Sequence, residues 1–314
     1  VYKDAYFRLE NDIDLSAHRW NPIGVYKWYE GGATEDRMFA GFLDGNGKTI
    51  TGLIVDERTE KNRAGLFGQI AYTGAATNVG VKDLNIVDAR IYATNEGMEK
   101  ISSAILAGFV MANSGHTIRF DDISVSGTIV NTKVGDNSMM SGGLFGEANR
   151  VTADHCRADV TIEGGDNTGG FVGLDGSSTY TNCKVTGKVT GLWAIGGFVG
   201  YAWEAESATM STYDNCIAKV DVVANEWRAG GFAGYMQKGK SSSCAALGDV
   251  TSSVTGFNPK VGGFAGEIGD KNVTGGAILE KCYAAGKVTA ASPDYKAGGF
   301  VGTHTEGTYT DCSF

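Results

Sequence analysis

Short stretches in which every second residue is apolar or glycine recur along almost the whole chain. Residues 123–129, 183–190 and 282–289 are examples, with mostly Thr, Ser and Lys at the intervening positions. This alternation predicts β-strands with one buried face. Clusters of Gly, Asn, Asp and Ser separate the stretches, as turns require. No segment of about 12 residues or more has the 3.6-residue apolar period of a helix, so the chain is predicted to be all-β.

A five-residue motif, with two leading glycines, a Leu or Phe and a closing glycine, marks each repeat. Its six full copies are residues 142–146, 169–173, 196–200, 230–234, 262–266 and 298–302. A cysteine lies 13 residues past the second glycine in four copies and 19 residues past it in two. In chain order these cysteines are Cys156, Cys183, Cys216, Cys244, Cys282 and Cys312, which are all six in the chain. A repeat this regular predicts one structural unit copied along an axis.

Two earlier copies are weaker. Residues 64–68 lack the first glycine, and Leu84 lies 19 residues past Gly65. Residues 107–110 also resemble the motif, with Gly108 as the second glycine, Met111 in place of the closing one, and Ile123 in the cysteine position. The cysteine position is therefore interpreted as a buried apolar position that accepts Leu, Ile or Cys.

The spacing of the motif favours a parallel β-helix. Consecutive second glycines are 27 to 43 residues apart, which suits one coil with loops inserted at its corners, whereas a propeller blade needs about 40 residues or more. We expect a right-handed parallel β-helix of about 9–10 coils. Each motif Phe should then stack on the next Phe, and each Cys on the next Cys. Residues 1–60 are predicted to form an N-terminal cap and the first coils, and residues 61–314 one continuous solenoid.

The cysteines are expected to remain free. In-register strands hold equivalent Cβ atoms about 4.8 Å apart, which exceeds the 3.8 Å typical of a disulfide. Some disulfide pairing stays open as an alternative, because six cysteines in a secreted protein often pair. A buried free thiol behaves as a small hydrophobic group.

The six motifs resemble GLUG repeats, which are named for a Gly-Leu-any-Gly core. The lead-in resembles the segment that commonly precedes such repeats, with Leu9, Ile13, Asp14, Leu15, Trp20 and residues 42–50. The resemblance implies an extracellular module of a large secreted or surface-attached bacterial protein. Adhesin-like proteins and the non-catalytic parts of immunoglobulin A peptidases carry such repeats. The resemblance brings no catalytic residues.

Charge and composition are consistent with an extracellular module. The formal net charge is −9 and the pI about 5.0, so we expect neither nucleic acid nor an anionic membrane as a partner. The sequence contains no run of 18 apolar residues, so we expect no membrane insertion. The chain begins without Met and stops soon after Cys312, which we interpret as a fragment of a larger multidomain protein.

Few side chains have the spacing of a catalytic or metal site. The four histidines match no metal motif, and His155 is expected to point into solvent because it precedes an inward cysteine. Glu204 and Glu206 are a weak acid–base pair, and Glu147, Asp175 and Glu204 a second weak group. We expect no cofactor. Calcium stays an alternative at the acidic turns Asp121-Asp122, Asp136-Asn137 and Asp166-Asn167.

Aromatic residues at equal motif offsets are the strongest binding candidates. Trp193, Trp227 and Tyr295 each lie four residues before a second glycine, and Tyr201 and Tyr235 lie four after one. Equal offsets place side chains on one face of adjacent coils, with Trp203 in a nearby loop. Such a strip could stack on sugar rings or bind a protein. The alternative is an aromatic row that only covers strand edges.

Two classes of function follow. The favoured one is a non-catalytic extracellular module that binds a host glycan or surface protein. The other is a polysaccharide-acting hydrolase or lyase, which rests on fold analogy alone. A spacer domain of a secreted peptidase is a further alternative.

Overall fold

The chain folds into a parallel β-helix with three sheets along its axis. The computed structural model describes residues 4–24, 38–57, 63–72, 74, 78–94, 100–132, 138–203, 209–253, 259–291 and 297–314. In these ranges every strand pairing is parallel. The architecture predicted from the repeats is thereby confirmed.

The strands are numbered in chain order. The leading sheet, which ends at the motif glycines, contains β5 (Arg63–Ala64), β8 (Lys100–Ala104), β11 (Ser138–Gly142), β15 (Asn167–Gly169), β19 (Ala194–Gly196), β23 (Arg228–Gly230), β28 (Lys260–Gly262) and β33 (Ala297–Gly298). The middle sheet, which follows the motif bend, contains β6 (Phe67–Ala71), β9 (Ala107–Met111), β12 (Phe145–Asn149), β16 (Val172–Gly176), β20 (Val199–Ala202), β24 (Ala233–Met236), β29 (Ala265–Ile268) and β34 (Val301–His304).

The long sheet carries the alternating stretches of the sequence. Its strands are β1 (Tyr6–Arg8), β2 (Ile13–Asp14), β3 (Phe42–Thr51), β4 (Ile54–Glu57), β7 (Gly80–Thr94), β10 (Ile118–Thr132), β13 (Val151–Asp154), β14 (Arg157–Glu163), β17 (Thr179–Thr181), β18 (Lys184–Gly191), β21 (Thr212–Asp214), β22 (Ile217–Ala224), β25 (Gly239–Ser242), β26 (Ala245–Ala246), β27 (Val250–Ser252), β30 (Ala277–Glu280), β31 (Tyr283–Ala284), β32 (Val288–Ala290) and β35 (Gly307–Thr310). Each coil passes through the leading, middle and long sheets in turn and pairs with the coils before and after it.

Columns of identical side chains fill the interior. The motif phenylalanines Phe171, Phe198, Phe232, Phe264 and Phe300 stack with ring centroids 4.6 to 5.1 Å apart. The cysteines form a second column, since the residues that follow them pair in register from coil to coil. All six cysteines are free. The predicted stacking of like on like is confirmed.

The motif glycines are required because two backbone segments approach each other at the bend. A Cβ atom on Gly169 would lie 2.1 Å from the carbonyl oxygen of Val172, and one on Gly170 would lie 2.2 Å from that of Gly197. Both contacts are with backbone, which cannot move aside as a flexible side chain could. Glycine at these positions is therefore a steric requirement of the sharp bend.

A left-handed residue precedes each inward cysteine of the long sheet. These residues are His155, Asn182, Asn215, Ser243, Lys281 and Asp311, with φ between 51° and 56°. Asp83 and Asp122 take the same conformation before Leu84 and Ile123. Asp and Asn tolerate this region better than most residues do. The left-handed residue makes a corner that turns the next side chain into the core. The side chain of His155, at one such corner, is exposed as predicted.

One predicted register is wrong. Gly108 pairs beside Gly146, the closing glycine, because the neighbouring residues Ala107 and Phe109 lie opposite Phe145 and Glu147. The second copy therefore reads 104–108, with Ile105 at the second-glycine position and the closing glycine retained. The Gly-Phe pair at 108–109 imitated the motif three residues late.

The first two strands of the long sheet are exposed. Strands β1 and β2 pair with β3 but are exposed. Beneath them lies an apolar cavity of about 530 Å³, lined among others by Phe7, Leu9, Trp20 and Phe67. The predicted boundary near residue 60 falls outside the described residues, so the division into cap and solenoid stays a prediction. None of the described segments is a helix long and apolar enough to cross a membrane.

Candidate functional site

The aromatic residues predicted as a strip gather where the leading and middle sheets meet. Trp193 and Trp227 directly precede strands β19 and β23, one coil apart. Tyr201 in β20 pairs in register with Tyr235 in β24. We call these four residues, together with Arg228, the aromatic cluster.

The rings contact one another edge to face and in parallel stacks. Tyr201 and Tyr235 are stacked with centroids 4.9 Å apart and planes 9° apart. Trp193 meets Trp227 edge to face at 5.8 Å, and Tyr201 at 5.6 Å. These separations are typical of favourable aromatic pairs. The predicted contact between Trp193 and Trp227 is confirmed.

Arg228 lies at the centre of the rings. Its guanidinium carbon is 4.3 Å from the Trp193 ring centroid, 4.1 Å from that of Trp227 and 4.4 Å from that of Tyr235. Only 6% of Arg228 is exposed. Cation–π attraction is strong for a desolvated guanidinium, so the three rings and the cation hold one another in place.

A buried carboxylate neutralises this cation. Glu267 in β29 accepts a hydrogen bond from Arg228 Nε at 2.5 Å and another from Lys260 Nζ at 2.5 Å. Lys260 also lies 5.5 Å from the Trp227 centroid. Glu267 is therefore shared by two cations, one on each of two neighbouring coils.

Polar side chains complete one edge of the cluster. The Tyr201 hydroxyl donates to Gln237 Oε1 at 3.0 Å, and the Tyr235 hydroxyl donates to Asp270 Oδ2 at 3.1 Å. Gln237 Nε2 donates to the same Asp270 oxygen at 3.2 Å. Burial raises the pKa of Tyr201 to about 12, and burial also raises the pKa of Tyr235. Both hydroxyls therefore stay protonated at neutral pH and act as donors.

The cluster is packed rather than an open strip. Trp227 is 38% exposed, whereas Trp193 and Tyr201 are half-buried and Tyr235 is buried. Trp203 is half-buried and, among the described residues, makes no ring contact with the cluster. Tyr295 lies outside the described residues. The surface that a ligand could stack on is therefore mainly the Trp227 indole.

Sequence reasoning missed the charged members of this site. Glu267 lies four residues after Gly263, which is the same offset that Tyr201 and Tyr235 have from their glycines. Arg228 and Lys260 likewise share an offset of three before a second glycine. The offset rule that selected the aromatic residues would also have selected these charges.

Glu147 and Asp175, two of the weak catalytic candidates, lie on opposite faces of the middle sheet. Asp175 is fully buried and accepts hydrogen bonds from the hydroxyls of Tyr180 at 2.8 Å and Tyr213 at 2.7 Å. Glu147 pairs beside Leu174 in the middle sheet, one position from Asp175, and so projects from the opposite side of the sheet. Glu204 and Glu206 lie outside the described residues.

Carboxylates in two of the acidic turns considered for calcium contact protein groups. Asp121 pairs with Arg119, and the Asp166 carboxylate accepts a hydrogen bond from the backbone of Met139 at 3.2 Å. Asp136 and Asn137 lie outside the described residues. Across the part of the chain that is described, no three His, Cys, Asp or Glu side chains converge as a metal site would require.

Comparison with known proteins supports the architecture. No protein-family model matches the chain. Halomucin of Haloquadratum walsbyi is 30% identical over 164 residues, which is 50% of this chain and 2% of halomucin. A crystal structure of a candidate immunoglobulin A1 protease from Bacteroides ovatus superposes with a TM-score of 0.57 and 16% identity, covering 91% of this chain and 77% of the other. At that identity the similarity indicates a common fold.

Proposed function

We propose that this chain is a rigid, non-catalytic module of a secreted or surface-attached protein, and that the exposed edge of the aromatic cluster binds a glycan or a protein partner. The names of the two similar proteins refer to extracellular molecules, a mucin and an immunoglobulin. They support an extracellular location for this chain.

The observation that carries the binding proposal is the support behind Trp227. The indole is exposed, yet Arg228 and Trp193 hold it from behind within one packed unit. A fixed aromatic surface loses little conformational entropy on binding, which favours stacking on a sugar ring or a flat side chain. Lys260 beside the indole adds a hydrogen-bond donor and a positive charge.

A retention assay on mucin-coated wells and a glycan array tests the proposal. Trp227→Ala should lower retention at least tenfold, because it removes the exposed ring. Tyr283→Ala is the matched control, since Tyr283 is 44% exposed on the long sheet, and it should retain binding. Equal retention by both variants would place the binding surface elsewhere, and no retention by the unaltered chain would count against a binding module.

A spacer is the second candidate function. The unbroken stacking of coils makes the chain a stiff rod, which would hold a neighbouring domain at a fixed distance. The same assay separates the two, because a spacer retains nothing on any of the surfaces.

A further inference from the structure

The cysteine column is the feature of the core that the proposed function does not use. Its members are Cys156, Cys183, Cys216, Cys244, Cys282 and Cys312. The first five are at most 1% exposed, and Cys312 is half-buried. Backbone hydrogen bonds of 2.9 to 3.0 Å join each cysteine carbonyl of the first five to the residue after the next cysteine. The six thiols therefore occupy equivalent positions on six successive rungs.

The thiols face one another along the column. The Cys183 side chain contacts those of Cys156 and Cys216, and the Cys244 side chain contacts those of Cys216 and Cys282. The thiols also approach backbone carbonyls, as Cys183 Sγ does at 3.3 Å from Thr181 and 3.6 Å from Ala153. A thiol is a weak donor at such distances, so replacing its proton breaks no strong hydrogen bond.

The rung spacing fits a linear metal–thiolate link better than a disulfide. Adjacent strands are about 4.8 Å apart, whereas a disulfide needs Cβ atoms about 3.8 Å apart. A metal ion midway between two sulfurs, each about 2.3 Å away as in zinc thiolates, spans about 4.6 Å, which is close to the rung spacing. The column places soft donors in pairs on neighbouring rungs, which suits two-coordinate ions rather than tetrahedral ones.

We propose that the cysteine column binds thiophilic monovalent cations of the Cu(I) and Ag(I) class, one between each pair of neighbouring thiols. Six thiols enclose five such positions. Each cation that binds displaces a thiol proton to solvent, with no change of oxidation state. Because each shared thiolate lies between two monovalent cations, the cysteine column stays close to neutral, as the apolar interior requires. Soft thiolate ligands select this class of metal.

Silver titration of the reduced, folded chain tests the proposal. In chloride-free buffer we expect about five Ag⁺ per chain after desalting, measured by mass spectrometry of the metal, with the β-sheet circular dichroism unchanged. X-ray absorption should show two sulfur neighbours per silver ion. Binding should be slow, since each buried site requires local opening of the rungs.

The position of a substitution gives the sharper test. Cys216→Val removes a thiol shared by two positions and should lower the stoichiometry by two. Cys156→Val removes an end thiol and should lower it by one. Valine suits the position because Leu84 and Ile123 fill it in earlier coils. Cys244→Val carries the same expectation as Cys216→Val and serves if that variant does not fold.

Three results would overturn the proposal. The first is an equal loss of one silver ion in every variant, which is the behaviour of independent thiols. The second is three or four sulfur neighbours per ion. The third is silver uptake only together with loss of the β-sheet signal, which would assign binding to the unfolded chain.

Discussion

Glu267 should be the most costly single charge to remove from this protein. Its side chain is 7% exposed and is shared by Arg228, also 7% exposed, and Lys260, 23% exposed. Glu267→Ala leaves a buried guanidinium and a nearby ammonium without their anion. Removing one partner of a buried ion pair costs about 3–5 kcal/mol, so we expect the local unfolding free energy to fall by about 3 kcal/mol, or roughly 150-fold in the opening equilibrium.

Hydrogen exchange of backbone amides is the suitable assay. A solenoid opens coil by coil, so the loss should appear in β23, β24, β28 and β29, while the distant rungs of β10 and β14 keep their protection. Glu280→Ala is the matched control. Glu280 pairs with Lys240 at 2.9 Å, but both side chains are about 40% exposed, so solvent screens the pair and its removal should leave the protection nearly unchanged.

A double substitution separates charge from packing. Arg228→Met with Glu267→Leu removes both charges and keeps apolar volume, so it should be less destabilising than Glu267→Ala alone. The reasoning fails if Glu267→Ala changes protection no more than Glu280→Ala does. It also fails if the double variant is as unstable as the sum of the single variants, because the buried charge would then not be the cause.

Two further predictions concern the core and the bend. Burial raises the pKa of Asp175 against the opposing hydrogen bonds from Ser and Tyr side chains, so its folded pKa lies above the ordinary 3.8. Its contribution to stability is therefore complete below that ordinary value and is lost as the pH rises through the folded pKa. Asp175→Asn should flatten this decline in melting temperature as the pH rises above about 4, and an unchanged slope would refute the assignment. Gly170→Ala should destabilise the chain by about 2 kcal/mol or more in urea, because the added Cβ meets a backbone oxygen at 2.2 Å. Gly239→Ala, whose Cβ would meet nothing closer than 3.4 Å, should cost less than half as much, and equal losses would contradict the steric explanation.

The fold was predictable because a solenoid places equal sequence offsets in direct contact. The all-β class, the parallel pairing, the Phe column and the Cys column follow from that single rule. The rule failed at Gly108, where Ile105 replaces the second glycine and a chance Gly-Phe pair lies three residues later. The register of that copy is set by the pairing of Ala107 with Phe145 in the next coil, and the local sequence does not carry that information.

The candidate site was only half predictable. Equal spacing from the motif glycines correctly predicted that Trp193 lies beside Trp227. The spacing did not indicate that Arg228 would be buried among the rings. Burial of a charge depends on a partner from another coil, here Glu267, and on the angle between the leading and middle sheets. The left-handed corners were missed for a related reason, since Asn182, Ser243 and Lys281 share a conformation but not a chemistry.

Each described coil is hydrogen-bonded to the coils before and after it, and this affects how the protein could be made. A finished coil presents an open row of backbone donors and acceptors to the next 27 to 40 residues of chain. No distant segment has to be awaited, so assembly can keep pace with a polypeptide that emerges from one end. The order of emergence then becomes the order of folding, and the growing rod serves as its own template.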